Sequence, residues 1–324
     1  MRILVIRLSS LGDVILTSSV FPELKKRGIK ADLLTFKPFG ELFKGQPFIN
    51  RVIEVEKEEL KGLKEIRKLA ESLTDYDFAF DLHDVLRTKI LRHFLKCKIF
   101  TYRKRGLLRR LMTVFKPLKA KWLFVPKLYA EPFKKIGVEI ENPRPYLKVD
   151  RQSLKKVEKL LPKGKEVVVL APGARWPNKE YPIERFKRIT ELLHKEGFKV
   201  VALGGEKERG KGKVLEETGA LNLCGELSLK ESLALISKCN LVISNDSAAV
   251  HMARAVRTKV LALFGPTHPA FGFAPFKDEG KALTLNLPCC PCSLHGKRVR
   301  CKEKRCFKIP PEKVVKEGLK LLER

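Results

Sequence analysis

The stretch Leu241-Val242-Ile243-Ser244-Asn245-Asp246-Ser247-Ala248-Ala249-Val250-His251 changes character halfway along. It leaves a short apolar run, passes a polar turn and enters a helical spacing, and a second apolar run follows at 259–264. A strand that turns into a helix and then into another strand is the repeating unit of a parallel α/β sheet. Asp246 or Ser247 stands where a side chain caps the helix. The N–H groups of that first turn lack intrahelical partners and carry the positive end of the macrodipole. Such an end accommodates a phosphate. His251, one turn after Ser247, is placed to face the same ligand. The same sequence also suits an ordinary strand-to-helix joint, so its function depends on what the rest of the chain supplies.

At 324 residues the chain is long enough for two domains, and 44% hydrophobic residues make it globular. The charge is one-sided: 67 Lys+Arg against 37 Asp+Glu give +30, which predicts attraction to a nucleic acid, an anionic membrane or a phosphorylated substrate. Charges interrupt every apolar window well short of the roughly 20 residues that span a bilayer. The N-terminus has neither the apolar length nor the cleavage site of a signal peptide. A cytoplasmic protein is expected. Cys97, Cys224 and Cys239 are scattered as in a reducing compartment, whereas Cys289, Cys290, Cys292, Cys301 and Cys306 crowd together.

In chain order, 2–6 reads as a buried strand. The loop Arg7-Leu8-Ser9-Ser10-Leu11-Gly12-Asp13 leads into a helix reaching Lys26, kinked at Pro22. Asp13 thus falls at the carboxyl end of strand one, where open α/β sheets hold ligands. The loop is neither GxGxxG nor a P-loop. Further strands are expected at 31–35, 51–55 and 78–82. Between Arg87 and Lys135 stand sixteen Lys or Arg and one acid, Glu131, interleaved with Phe94, Phe100, Tyr102, Phe115, Trp122 and Phe124. That mixture suits an anionic lipid surface or a groove for single-stranded nucleic acid.

Pro-rich 141–146 reads as a linker and places a boundary near Asp150. A second βα series follows, with strands at 166–170, 198–203, 241–244, 260–264 and 282–285 and helices at 152–161, 182–196, 208–217, 229–237 and 247–255. The expectation is two Rossmann-like domains with parallel sheets facing an interdomain cleft, 1–150 and 151–324, the last helix packing back on the first domain. Several loops share one edge of the second sheet. The loop 171–182 carries Lys179, a cation suited to a diphosphate. Gly204-Gly205-Glu206 offers close backbone approach and a carboxylate for ribose hydroxyls. Gly225-Glu226-Leu227-Ser228 provides a surface for a base, and Gly265-Pro266-Thr267 completes the set.

Taken in order, Ser9-Ser10-Leu11-Gly12-Asp13, Pro172-Gly173-Ala174 with Lys179-Glu180-Tyr181-Pro182, Asn245-Asp246-Ser247 with His251, and Phe264-Gly265-Pro266-Thr267 resemble the ADP-heptose:lipopolysaccharide heptosyltransferases of glycosyltransferase family nine. The resemblance runs over nearly the whole chain. It implies a GT-B fold, an N-terminal acceptor domain, a C-terminal donor domain, and inverting transfer of heptose from ADP-heptose to the lipopolysaccharide inner core without a metal or other cofactor. It also implies Asp13 as base, and Lys179 with the helix start at Ser247 as the charge at the diphosphate. Asp246 and His251 would lie at the sugar phosphate, Glu206 at the ribose and Leu227 at the adenine. Ala248 stands where the family usually has glycine, which narrows the room for phosphate. Acceptor contacts fall to Ser10, Gly12, His83, Arg87 and Arg103, with His83 replacing a usual glutamine. The basic region 87–135 then gains a partner, the anionic inner leaflet that carries the acceptor.

Cys290-Pro291-Cys292 with Cys301 and Cys306 resembles a cysteine cluster in some family members. Four thiolates suit a structural zinc, although the spacing is not that of a zinc knuckle, and disulfides or free thiols are the alternatives. Two other readings remain: a family relative with another nucleotide-sugar donor, and a basic nucleic-acid-binding protein. Against the second stands the lack of an RRM, KH or helix-turn-helix signature. A dinucleotide oxidoreductase is disfavoured because the glycine fingerprint is missing.

Overall fold

A computed structural model describes residues 1–120, 122–162, 164–299, 301 and 303–323. Lys121, one of the sixteen cations of the basic region, lies outside the described residues. The chain divides into two compact units, one formed by Met1–Lys104 and Val125–Lys148, the other by Arg105–Phe124 and Val149–Arg324. Where the sequence suggests a single cut near Asp150, the segment Arg105–Phe124 packs with the second unit.

The first unit contains β1 (Arg2–Ile6), α1 (Leu11–Thr17), α2 (Phe21–Lys26), β2 (Lys30–Phe36), β3 (Arg51–Val55), α3 (Leu63–Ser72), β4 (Phe78–Asp81), α4 (Leu86–Phe94) and β5 (Lys98–Thr101). The chain then forms α5 (Gly106–Val114) in the second unit and returns with α6 (Val125–Ala130). All strand pairs of this sheet are parallel, in the order β3-β2-β1-β4-β5. Ile3 to Ile6 are completely buried, as a central parallel strand covered on both faces requires.

The expected kinked helix is two helices. Thr17, Ser18 and Ser19 turn their hydroxyls back onto the carbonyls of Val14, Ile15 and Leu16 at 2.6, 2.6 and 2.7 Å, which satisfies the end of α1. Pro22 falls in the first turn of α2, where a missing N–H costs nothing. Strand β5 was hidden by its charge: Lys98 lies over the ring of Phe100, which in turn packs on Phe80 at 5.4 Å.

The second unit runs α7 (Arg151–Glu158), β6 (Val167–Ala171), α8 (Ile183–Lys195), β7 (Lys199–Ala202), α9 (Arg209–Glu216), β8 (Leu221–Asn222), α10 (Leu229–Ser237), β9 (Leu241–Asn245), α11 (Ala248–Ala255), β10 (Lys259–Leu263), β11 (Gly280–Leu283) and α12 (Pro311–Leu319). Its sheet is also all parallel, in the order β11-β10-β9-β6-β7-β8. The two-residue β8 is too short to leave a periodic signal. The last helix, α12, corrects an expectation. Val314 and Val315 join the core of Leu241, Ile243 and Leu261, so α12 closes its own unit's sheet. A Cβ at Gly318 would stand 3.0 Å from the Leu241 side chain, so the helix packs closely on the strand there.

Each strand order reverses direction once. In the first sheet the chain leaves β1 toward β2 and β3, then returns to β4 on the other side. In the second it leaves β6 toward β7 and β8, then returns to β9. The crevices outside the carboxyl ends of β1/β4 and of β6/β9 are therefore the topological switch points, where doubly wound sheets bind ligands.

Candidate active site

At the β1/β4 switch point the chain places a carboxylate with a complete set of donors. Arg7, the first residue after β1, is buried and reaches Asp13 with Nη2 2.8 Å from Oδ1. Its Nη1 donates to the Leu82 carbonyl at 2.5 Å, just past β4. The Tyr129 hydroxyl donates to the same Asp13 oxygen at 3.2 Å, and the Ser10 hydroxyl donates to Oδ2 at 2.7 Å. Burial acts to lower the Arg7 pKa, but Asp13, Tyr129 and Tyr102 outweigh it and the net direction is up. Arg7 is thus a fixed cation. The Asp13 side chain keeps 19% exposure, enough for one face to meet a ligand. Gly12 is buried in the first turn of α1.

His83 follows β4 and stands in the same electrostatic setting. Burial first, then Arg7, push its pKa down to about 3, with Lys104 and Arg87 acting in the same sense. Its Nδ1 meets no hydrogen-bond partner among the described residues. The turn beneath it is built by Asp81, whose Oδ1 accepts the His83 and Asp84 N–H groups, both at 2.8 Å. A histidine kept neutral in the fold titrates in the unfolded chain near its ordinary value, so below about pH 6.5 the unfolded state binds the extra proton. Stability therefore falls as pH drops, by roughly 1.4 kcal/mol per pH unit between about 6 and 4. His83→Gln should lose less stability than the parent between pH 7 and pH 5 in urea melts; equal losses would contradict a neutral His83. Arg87 and Arg103 are both exposed, and Arg87 reaches His83 through its charge alone.

The β6/β9 switch point holds the second group. Asn245, the last residue of β9, ties the two loops together, donating from Nδ2 to the Pro172 carbonyl at 2.7 Å and accepting the Tyr181 N–H at 3.0 Å. Lys179 sits on a one-turn 3-10 helix, Pro177–Lys179, and its ammonium lies 2.6 Å from Asp246 Oδ2. Thr267 donates to the same oxygen at 2.9 Å. Asp246 therefore does not cap α11. Ser247 occupies the cap position without a side-chain cap bond, its hydroxyl meeting that of Ser244 at 3.0 Å. Lys179 is thus held on Asp246, two residues before α11 begins, and Ser247 and Ala248 at that helix start are half-buried. His251 is nearly enclosed, its ring packed against Phe273 at 6.2 Å.

Glu206 and the loop 225–228 that carries Leu227 lie together on the same sheet edge. Arg209 ties Glu206 to the loop that carries Leu227, with Nε 2.6 Å from Glu206, Nη1 2.5 Å from Glu226 and Nη2 donating to the Gly225 carbonyl at 2.9 Å. Leu227 is half-buried, with an apolar face open to solvent.

Sequence reasoning missed three parts of this arrangement. Arg7 reads only as the first residue of a loop, although a cation closing an apolar run is the signal that would have found it. Asn245 and Thr267 belonged to quoted loops without being singled out. The third part is the cysteine-rich segment as a brace for the Lys179 and Thr267 loops. Cys292 and Ser293 N–H groups donate to Pro266 at 3.0 and 3.1 Å, Lys304 donates to Pro177 at 2.9 Å, and Gly296, at φ +74°, lies where a Cβ would run into the Lys179 side chain. All eight cysteines are free thiols, so the disulfide alternative is not formed. Cys289, Cys290, Cys292, Cys301 and Cys306 line one cavity of about 210 Å³. A hydrogen bond from Cys290 holds the Cys306 thiol below its ordinary value. Among the described residues no group of three or more His, Cys, Asp or Glu side chains stands in metal-holding geometry.

Two doubly wound parallel sheets, with an oriented carboxylate at one switch point and a cation beside a helix start at the other, define the α/β architecture of GT-B glycosyltransferases. Solved structures share this fold. A glycosyl transferase family 9 protein from Veillonella parvula matches at a TM-score of 0.80, 19% identity, 99% of this chain and 97% of that one. The E. coli ADP-heptose LPS heptosyltransferase II matches at 0.76 and 23%, covering 100% and 99%. The family model for glycosyltransferase family 9 (heptosyltransferase) matches residues 66–303, and the chain belongs to that family and is a glycosyltransferase. It is also 26% identical over 313 residues to lipooligosaccharide heptosyltransferase 2 of Haemophilus influenzae, covering 88% of this chain and 89% of that protein.

Proposed function

We propose that this protein transfers a heptose from ADP-heptose to the inner core of lipopolysaccharide, onto a Kdo- or heptose-terminated acceptor, with inversion at the anomeric carbon. The observation that carries the reading is the Asp13 carboxylate, oriented by Arg7, Ser10 and Tyr129 at a switch point. The names of the E. coli and Haemophilus relatives supply the sugar, the donor and the acceptor class.

In this reading Asp13 takes the proton of the acceptor hydroxyl as that oxygen bonds to the anomeric carbon. The bond from that carbon to the β-phosphate oxygen breaks, and ADP leaves with the electron pair. Lys179 and the α11 N-terminus supply the positive charge that the departing diphosphate needs. Asp246 holds Lys179 in place, and Glu206 and Leu227 receive the ribose and adenine. His251 lies under the phosphate-binding turn. Ser10, Gly12, His83, Arg87 and Arg103 form the acceptor side. The first unit is then the acceptor domain and the second the donor domain.

Among the described residues no helix is long and apolar enough to cross a membrane. The exposed cations of region 87–135 hold the enzyme on the anionic inner face of the cytoplasmic membrane, where its acceptor is made. Incubation with ADP-heptose and with other nucleotide sugars, over a panel of truncated inner-core acceptors, tests the reading. It predicts that one acceptor gains the mass of a heptose from ADP-heptose. Transfer only from another nucleotide sugar would replace the donor assignment.

A further inference from the structure

Helix α5 is built with its apolar stripe facing outward. Leu107, Leu111 and Val114 lie on one face, with Phe115 next on the same arc, and they are 73, 44, 80 and 57% exposed. The opposite face is the anchored one. Met112 is fully buried, the Arg109 guanidinium lies over the Phe273 ring at 5.3 Å, and the Lys116 ammonium donates to the Thr113 and Pro291 carbonyls. Beyond the helix, Leu123 N–H donates to Ala270 at 3.0 Å and Phe124 stacks on Phe276 at 5.1 Å. The segment is thus fixed at both ends, and the exposure belongs to the fold.

Large apolar side chains that stand out of the surface concentrate here, with Trp122 adding a fifth at 49%. Contiguous exposed apolar surface of this kind marks an interaction site. Its surroundings identify the partner. Arg105 and Arg110, on the same segment, are exposed, and no acidic residue occurs from 85 to 130. A second copy of a chain carrying +30 would be repelled. A nucleic acid calls for stacking aromatics in a groove and makes no use of a Leu/Val ridge. An anionic bilayer uses both features. An amphipathic helix lies in the interface with its apolar face among the acyl chains and its cations at the phosphates.

We propose that α5 with Phe115 is a membrane-insertion element: Leu107, Leu111, Val114 and Phe115 enter the acyl boundary of an anionic bilayer while Arg105 and Arg110 pair with lipid phosphates. This rests on the reading that region 87–135 binds the membrane and adds that the contact is apolar as well as electrostatic. The arginines set the salt dependence and the apolar stripe sets the depth.

The test uses the full chain with vesicles of phosphatidylglycerol and phosphatidylcholine, and with phosphatidylcholine alone. In a Trp176→Phe background Trp122 is the only tryptophan, so acyl-brominated lipids should quench its fluorescence on the anionic vesicles. The double variant Leu107→Ser/Val114→Ser should lose roughly tenfold or more in partitioning and lose the quenching. Its melting temperature and its transfer to an acyl-free acceptor should match the parent. If the double variant partitions like the parent and both are released by salt, insertion is wrong and the electrostatic reading stands. If the parent binds neither vesicle, the membrane reading itself falls. If partitioning drops together with the melting temperature, Phe115→Ser, a change at the exposed end of the stripe, decides: unchanged quenching with it overturns the proposal.

Discussion

Asp13→Asn should lower the rate of transfer by roughly 10³-fold while leaving ADP affinity within about threefold of the parent. Asparagine is chosen because it keeps an oxygen toward Arg7 Nη2 and the Tyr129 hydroxyl, the two groups at Oδ1. What it loses is the ability to take a proton from the acceptor. Asp13→Ala confounds this with folding, since it strands the buried Arg7 cation. Removing one partner of a buried pair typically costs about 3–5 kcal/mol. The two variants should therefore separate, the asparagine form inactive and the less destabilised because it keeps an acceptor for Arg7, the alanine form inactive and the more unstable. Single-turnover rates with matched thermal melts check this. A stable Asn variant with parental activity would remove Asp13 as the base.

The second large effect lies on the donor side. Lys179→Ala should weaken ADP binding by about 10–100-fold, the range expected for a charge-assisted contact to a phosphate. Part of that loss is not the missing contact. With Lys179 gone, Asp246 remains 11% exposed with Thr267 and no cation, and its charge then opposes the diphosphate. Lys179→Ala/Asp246→Asn should consequently regain roughly tenfold of the loss, a coupling that calorimetric titration of ADP against the four proteins measures. If the double variant binds no better than Lys179→Ala alone, Asp246 does not face the phosphates.

The sequence made the alternating frame legible because buried parallel strands are unbroken apolar runs. The strands 51–55 and 2–6 coincide with those observed, and 78–82 overruns by one residue. Loops at the carboxyl ends followed from that frame, which is why Asp13, Lys179 and Asp246 could be named. What could not be read depends on contacts between residues far apart in the chain. Arg7 matters because the Leu82 carbonyl and Tyr129 converge on it. The helix start at Ser247 was expected to be capped by its own side chains. Instead Lys179 and Thr267, brought in from other loops, draw Asp246 away. Region 87–135 reads as one run of cations interleaved with aromatics, with segment 105–124 undistinguished within it. Its leucines carry no mark in the sequence of which side will face outward, and only the anchoring of Arg109, Met112 and Lys116 decides that.

The most direct measurement is the fate of the donor in a reaction with ADP-heptose and the acceptor that the panel selects. Mass spectrometry and NMR of the product should show one added heptose, an anomeric configuration opposite to that of the donor, and one ADP released per heptose transferred, all absent with Asp13→Asn. Retention of configuration, or transfer that survives Asp13→Asn, would contradict it.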